Sequence, residues 1–223
     1  MDKKAKRTSS KYTKRKRSST KAIVYKQVKN QLQRAAEKKF YSENYQINGL
    51  DITGSLNNIF EPSFGTGGSD VVGIKATVTS IEVSIYLLSP GLATTNAYNQ
   101  TRITCFTWKG FNTPTLADLY QVNTIDYQTI TQFTFGTKKQ RKIHYDQVFD
   151  QYFVPTNGFA QDPNKTIKFY VPMVNVKGRI NEVVFDPNGT TNGIYLAIVA
   201  NNNGAANTKW LANVATRVTF LDM

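Results

Sequence analysis

The segment TSIEVSIYLL at 79–88 alternates apolar Ile81, Val83, Ile85 and Leu87 with polar Glu82 and Ser84. VATRVTF at 214–220 does the same, setting Val214, Thr216, Val218 and Phe220 against Ala215, Arg217 and Thr219. A period of two marks a strand with one face buried. Further runs rich in Val, Ile, Thr, Phe and Tyr predict strands at 72–79, 102–108, 130–135, 142–149, 166–171, 182–185 and 193–199, eight or nine in all. Between them stand SPG, NTPT, PTNG, QDPN, DPNG and NNNG, which supply the positive-φ residues and fixed proline φ of turns. TPTLADLYQV at 113–122 reads as a short helix with Thr113 as cap and Pro114 at its first position. A βαβ series would need a helix between most strands. The pattern therefore predicts an all-β antiparallel body, and long, uneven connections favour an eight-stranded jelly-roll sandwich over a meander barrel.

The first forty residues follow a different pattern. Residues 1–20 offer Met1, Ala5 and Tyr12 for burial, too little to offset an ordering entropy of roughly 1 to 2 kcal/mol per residue, and are expected to be disordered when unbound. From Lys21, Val24, Val28, Leu32 and Ala35 or Ala36 fall at helical spacing behind N-cap oxygens at Ser18 to Thr20. This predicts an amphipathic basic helix over 21–41 with a narrow apolar stripe. Residues 42–70, with FGTGGSD at 64–70, read as a linker and first strand region, and 71–223 as the jelly-roll domain.

Charge sharpens this division. The 223 residues carry 28 Lys and Arg against 15 Asp and Glu, a net of +13. Fifteen of the positive charges lie in residues 1–39: Lys3, Lys4, Lys6, Arg7, Lys11, Lys14, Arg15, Lys16, Arg17, Lys21, Lys26, Lys29, Arg34, Lys38 and Lys39. They face only Asp2 and Glu37, so residues 40–223 balance to zero. A neutral body with a basic arm points to a polyanionic partner held by the arm, and those fifteen residues are the expected nucleic-acid ligands. The cluster Lys14, Arg15, Lys16 and Arg17 has the composition of a nuclear localisation signal and equally of a plain phosphate clamp. Phosphate contacts carry no sugar information, so the arm does not distinguish DNA from RNA.

Candidate chemistry elsewhere is sparse. With Cys105 alone no internal disulfide forms, and a reducing cytoplasm or nucleus is expected. No apolar run suits a bilayer crossing, and no apolar h-region follows the basic segment, so neither membrane insertion nor conventional secretion is expected. His144 stands near Asp146 and Asp150, but a lone histidine in a strand is far more often structural than a catalytic base. Cys105 shares a face with Ile103 and Thr107 and reads as a small buried hydrophobe. GTGGS lacks the flanking strand and lysine of a phosphate cradle and reads as a flexible linker or loop. The sequons at Asn99, Asn164 and Asn188 read as turns. No enzymatic activity and no cofactor are expected.

Taken in order, the basic arm, KAIVYKQVKNQLQRAAEKKFY, a glycine and serine linker, VGIKATVTSIEVSIYLLSP, QTRITCFTWKG, TPTLADLYQVN, KKQRKIHYDQVFD, NKTIKFYVP and a last strand span nearly the whole chain. This succession resembles the coat proteins of satellite tobacco necrosis virus type, a group that includes capsid proteins of small circular single-stranded DNA (CRESS-DNA) viruses. TPTLADLYQVN after the aromatic FTW is its most specific piece, followed by the helical arm running into a linker. The resemblance implies an eight-stranded jelly roll and a T=1 icosahedral shell of sixty copies. It also implies basic arms directed inward onto a single-stranded genome, and a virion assembled in the host nucleus or cytoplasm. Sixty arms at +13 would place about 780 positive charges inside, suited to a small genome. Some relatives bind calcium between subunits, and Asp162 and Asp186 in Asp-Pro turns could supply ligands, although no oxygen-rich loop of diagnostic spacing accompanies them. The alternatives are a satellite RNA virus coat protein, a non-viral basic nucleic-acid-binding protein, whose body should itself carry a basic and aromatic groove, and a carbohydrate-binding jelly-roll module, for which the arm has no purpose.

Overall fold

The computed structural model describes residues 24, 27, 28, 38–88, 97–110, 112–121, 132–153, 164–173, 182–186, 189–201 and 209–222. The chain divides into two compact units, Met1–Ala35 and Ala36–Met223. In the first, Val24, Gln27 and Val28 are helical and exposed. The rest of the expected 21–41 helix as far as residue 37, and the segment 1–20, lie outside the described residues.

The second unit contains, among the described residues, ten strands and one short helix. They are β1 (Lys38–Leu50), β2 (Ser55–Asn58), β3 (Lys75–Leu88), β4 (Ala97–Trp108), α1 (Leu116–Leu119), β5 (Arg141–Phe153), β6 (Lys165–Pro172), β7 (Glu182–Asp186), β8 (Gly189–Thr191), β9 (Gly193–Ala200) and β10 (Trp210–Asp222). All ladder pairings are antiparallel. The first sheet runs β1-β10-β3, and the far edge of β3 pairs with β7 at Lys75–Thr77 and with β6 at Ser80–Leu87. The second sheet runs β2-β9-β4-β5. The pairs β1 with β10, β2 with β9, β3 with β6 and β4 with β5 are nested, as in one long hairpin rolled up so that successive strands exchange sheets. That is the jelly-roll arrangement predicted from the strand pattern, with β7 and β8 as an added hairpin.

Alternation builds the core. Ile81, Val83, Ile85 and Leu87 of β3, and Val214, Thr216, Val218 and Phe220 of β10, are all buried as their period of two predicts. All of these except Thr216 join Ile103, Cys105, Leu196 and Ile198 from the second sheet in one apolar cluster. β9 is buried at all eight positions. Its other face, with Phe106 and Trp108 of β4, lies under a second cluster that includes Leu119 and Tyr120. A strand covered on both sides reads as an apolar run without alternation, as GIYLAIV does.

Several expectations are corrected. Residues 38–41 are strand, not the end of a helix, and the region 42–70, read as linker and first strand, holds most of β1 and all of β2, which belong to the two sheets, so the sandwich starts at Lys38. The reason is pairing of β1 with β10 from Lys38 opposite Leu221 to Leu50 opposite Trp210, contacts remote in sequence that outweigh local helical spacing. The expected strands 72–79 and 79–88 are one strand, β3. In 130–135 the described residues form no ladder, only a bridge between Tyr120 and Phe133. The helix covers Leu116–Leu119, with Thr115 rather than Thr113 as N-cap, because the Asp118 carboxylate accepts from the Thr115 backbone N–H and hydroxyl, both at 2.8 Å. The GTGGS loop is a hydrogen-bonded turn: Asp70 N–H donates to Gly67 O at 3.1 Å, and its carboxylate accepts from Gly67 N–H at 3.0 Å. A Cβ on Gly65 or Gly67 would stand 2.5 or 2.7 Å from the Asp70 carboxylate and would displace it from this turn. Asn99 lies on β4, fully buried, and is no turn residue.

Candidate nucleic-acid interface

Of the fifteen basic residues read as ligands, Lys38 and Lys39 are described, and the other thirteen, with the Lys14–Arg17 cluster, lie outside the described residues. Lys38 is exposed at the start of β1. Lys39 corrects the expectation. Strand alternation turns it inward, 4% exposed, where Nζ donates to Asp222 Oδ2 at 3.0 Å and Asp70 O at 3.1 Å. The same carboxylate oxygen accepts from the Val72 N–H at 2.9 Å. A phosphate could reach this ammonium only by breaking a buried ion pair, which is a large cost. Lys39 is therefore part of the body: a clamp between the first strand, the glycine loop and the last strand.

Burial acts to raise the Asp222 carboxyl, but the Val72 N–H and the Lys39 ammonium outweigh it and hold its pKa below the ordinary aspartate value of 3.8. A depressed folded-state pKa contributes stability that is complete above the unfolded value and lost as pH falls through the folded one. Asp222→Asn is accordingly expected to lower stability at neutral pH and to show a shallower loss below pH 4 than the parent, as followed by urea unfolding across pH. Parallel curves for the two proteins would remove Asp222 from the acid response.

The other candidate groups are drawn apart. The register of β4 with β5 shifts between Cys105 and Phe106, where Tyr145 and Ile143 are the partners and His144 is the extra residue of a bulge. His144 Nε2 meets Thr107 Oγ1 at 2.7 Å. Asp146 instead takes a two-pronged bond from Arg102, Nε to Oδ1 and Nη2 to Oδ2, both at 2.8 Å, and a 2.6 Å bond from the Thr104 hydroxyl. Thr107 and Thr104 fall on opposite faces of β4, so His144 and Asp146 do not converge. Asp150 accepts from Gln100 at 2.9 Å. Cys105 is fully buried, and burial pushes its thiol up to about 12, which keeps it protonated and unreactive at neutral pH. Among the described residues no three of His, Cys, Asp and Glu come together to hold a metal. Asp162 lies outside the described residues, and Asp186 ends β7 opposite Gly189.

The arginines of the second sheet form a cluster that strand patterning did not indicate. Tyr120 and Phe133 stack at 5.7 Å, and the Arg102 guanidinium lies 4.8 and 4.7 Å from their two ring centres. Arg141 sits 5.3 Å from Phe133 and donates to Asp118 O at 3.0 Å and Thr134 O at 2.6 Å. The Tyr120 hydroxyl bonds Thr104 at 2.5 Å, and burial raises the phenol to about 12. These bonds fasten α1 and the segment at 132–140 over β4, and they bury both guanidinium groups, 7% and 9% exposed, away from a polyanion. A signal for them was present in the aromatic and basic residues at 102, 120, 133 and 141, but their meeting depends on the sheet.

No family model and no curated protein matches the chain. Among solved structures it is similar to the infectious bursal disease virus VP2 subviral particle, at 14% identity and a TM-score of 0.31, over 82% of this chain and 32% of that one. It is also similar to the T13 viral particle of the same virus, at 13% identity and a TM-score of 0.17, over 84% of this chain and 40% of that one. The chain thus spans less than half the length of either, and the fold assignment rests on strand pairing rather than on these likenesses.

Proposed function

We propose that the protein is a viral capsid subunit that assembles with itself into a small T=1 icosahedral shell of sixty copies and packages a single-stranded genome, circular DNA, through its N-terminal arm. The observation that carries this reading is the segregation of charge: residues 1–39 hold a net of +13, and the remaining 184 residues balance to zero. Moving Lys39 into the body leaves fourteen basic residues in the arm and changes little. A neutral sandwich can approach its own copies without long-range repulsion, and a concentrated polycation neutralises phosphate. The jelly-roll pairing is compatible with such a container, and half-buried His144 and buried Cys105, Arg102 and Arg141 are engaged within the body.

Purified protein imaged by negative-stain electron microscopy is expected to form round shells of uniform diameter, and nuclease digestion of their contents to show DNA. RNA contents would move the reading to a satellite RNA virus coat protein. A strictly monomeric profile across salt and protein concentration would instead favour a non-viral nucleic-acid-binding protein.

A further inference from the structure

The outward face of the first sheet carries a trough of about 630 Å³ whose floor is made of short side chains, Ser42 and Asn44 of β1, Ser84 of β3 and Ala215 of β10. Lys168, Tyr170 and Arg217 rise at its sides. The register explains the arrangement, since Ser42, Arg217, Glu82 and Tyr170 form one row across β1, β10, β3 and β6, and Asn44, Ala215, Ser84 and Lys168 form the next. Lys168 and Tyr170 are two residues apart on one strand and so share the face, about 7 Å apart. A second hollow of about 500 Å³ adjoins it, bordered by Tyr86. Three rings stand open on this face, Tyr170 at 59%, Phe40 at 50% and Tyr86 at 37% exposed. The Arg217 guanidinium lies 4.6 Å from the Phe40 ring centre, and neither it nor Lys168 joins an ion pair among the described residues.

From this we infer that the outward face of β1-β10-β3-β6 is a second contact surface for single-stranded nucleic acid, with bases on Tyr86, Tyr170 and the Phe40–Arg217 pair and phosphates at Lys168 and Arg217. The inference rests on the reading that the protein packages a single strand. Charge complementarity selects the partner. Although the body is neutral overall, this face sets Lys38, Lys168 and Arg217 against Glu82 alone. Its rings are separated by polar residues, unlike the continuous apolar centre of a stable interface between copies. Open rings beside cations over a polar floor are what unpaired bases and their phosphates use, and every base has a face to stack. The strand that opens the face, β1, follows directly on the basic segment in the chain.

The test uses the full chain. A bromodeoxyuridine-substituted single strand of twenty nucleotides, irradiated with the wild-type protein, is expected to crosslink to Tyr86 or Tyr170 in peptide mass spectra, and the matching duplex is not. In a salt titration of the same oligonucleotide, Lys168→Ala with Arg217→Ala should reduce the slope of log K against log salt by about 1.4, from two phosphate contacts at about 0.7 each. Tyr86→Ala with Tyr170→Ala should weaken binding about 5-fold or more at high salt, where the arm is screened. Absence of either crosslink with an unchanged slope overturns the inference. So do variants that bind normally yet no longer assemble, since the face would then belong to a second copy. Failure of the wild-type protein to form shells defeats the capsid reading and leaves these binding results to be read separately.

Discussion

A chain lacking residues 1–37 is expected to keep its β-sandwich and to lose its packaged nucleic acid. The cut removes thirteen Lys and Arg together with Asp2 and Glu37, a net of +11, and leaves a remainder of +2. Each lost phosphate contact lowers the salt slope for a single strand by about 0.7, so removal of all thirteen could lower it by about 9. At physiological salt that amounts to loss of retained nucleic acid, visible as a fall in the ratio of absorbance at 260 to 280 nm of any particles recovered. The boundary follows from the structure. Cutting beyond Lys39 would strip Asp222 of its buried partner and mix a loss of stability with a loss of binding. Nucleic acid retained at the wild-type level by the shortened chain, with a normal β-rich circular dichroism spectrum, would refute the role given to the arm.

Phe60→Ala is expected to cost about 4 kcal/mol, against a stability of about 5–15 kcal/mol for a domain. Phe60 is fully buried just after β2. Its ring packs edge-on to Tyr41 of β1 at 6.0 Å and Phe185 of β7 at 5.6 Å, and tilted against Phe220 of β10 at 5.2 Å. Truncation would leave a cavity bordered by three stiff rings in separate strands, which cannot close it without disturbing their pairing. Urea unfolding measures the cost, and a loss below about 1 kcal/mol would show that the aromatic group is not a keystone of the core. Because the ring lies beside strands that carry the Lys39 clamp, the variant also tests whether the start of β1 depends on the core for its order.

The strand pattern was legible where one face meets solvent. Ile81, Val83, Ile85 and Leu87 alternate with Glu82 and Ser84, and burial follows that alternation. Val214 to Phe220 read equally well, because β10 lies between β1 and β3 with its other face open at Asn213, Ala215 and Arg217. GIYLAIV could be recognised as a strand by its length and composition, but not as one covered on both faces, since that depends on α1 and residues 132–140 folding over it. β1 was harder. KKFY continues a helical spacing and a run of lysines, and nothing local says that Lys39 belongs with Asp222, 183 residues away. The same limit applies to Arg102 and Arg141, whose aromatic partners sit in other elements.

By itself the sequence determined the all-β class, the period of the strands and the placement of the basic excess in the first 39 residues, because each is a local or summed property of side chains. Only the tertiary structure decided where β1 begins, which lysine is withdrawn from the arm and which polar side chains share the trough on the first sheet. Those depend on backbone pairing between residues far apart in the chain. A one-residue shift in that pairing would turn Lys39 outward and Phe40 and Ser42 inward.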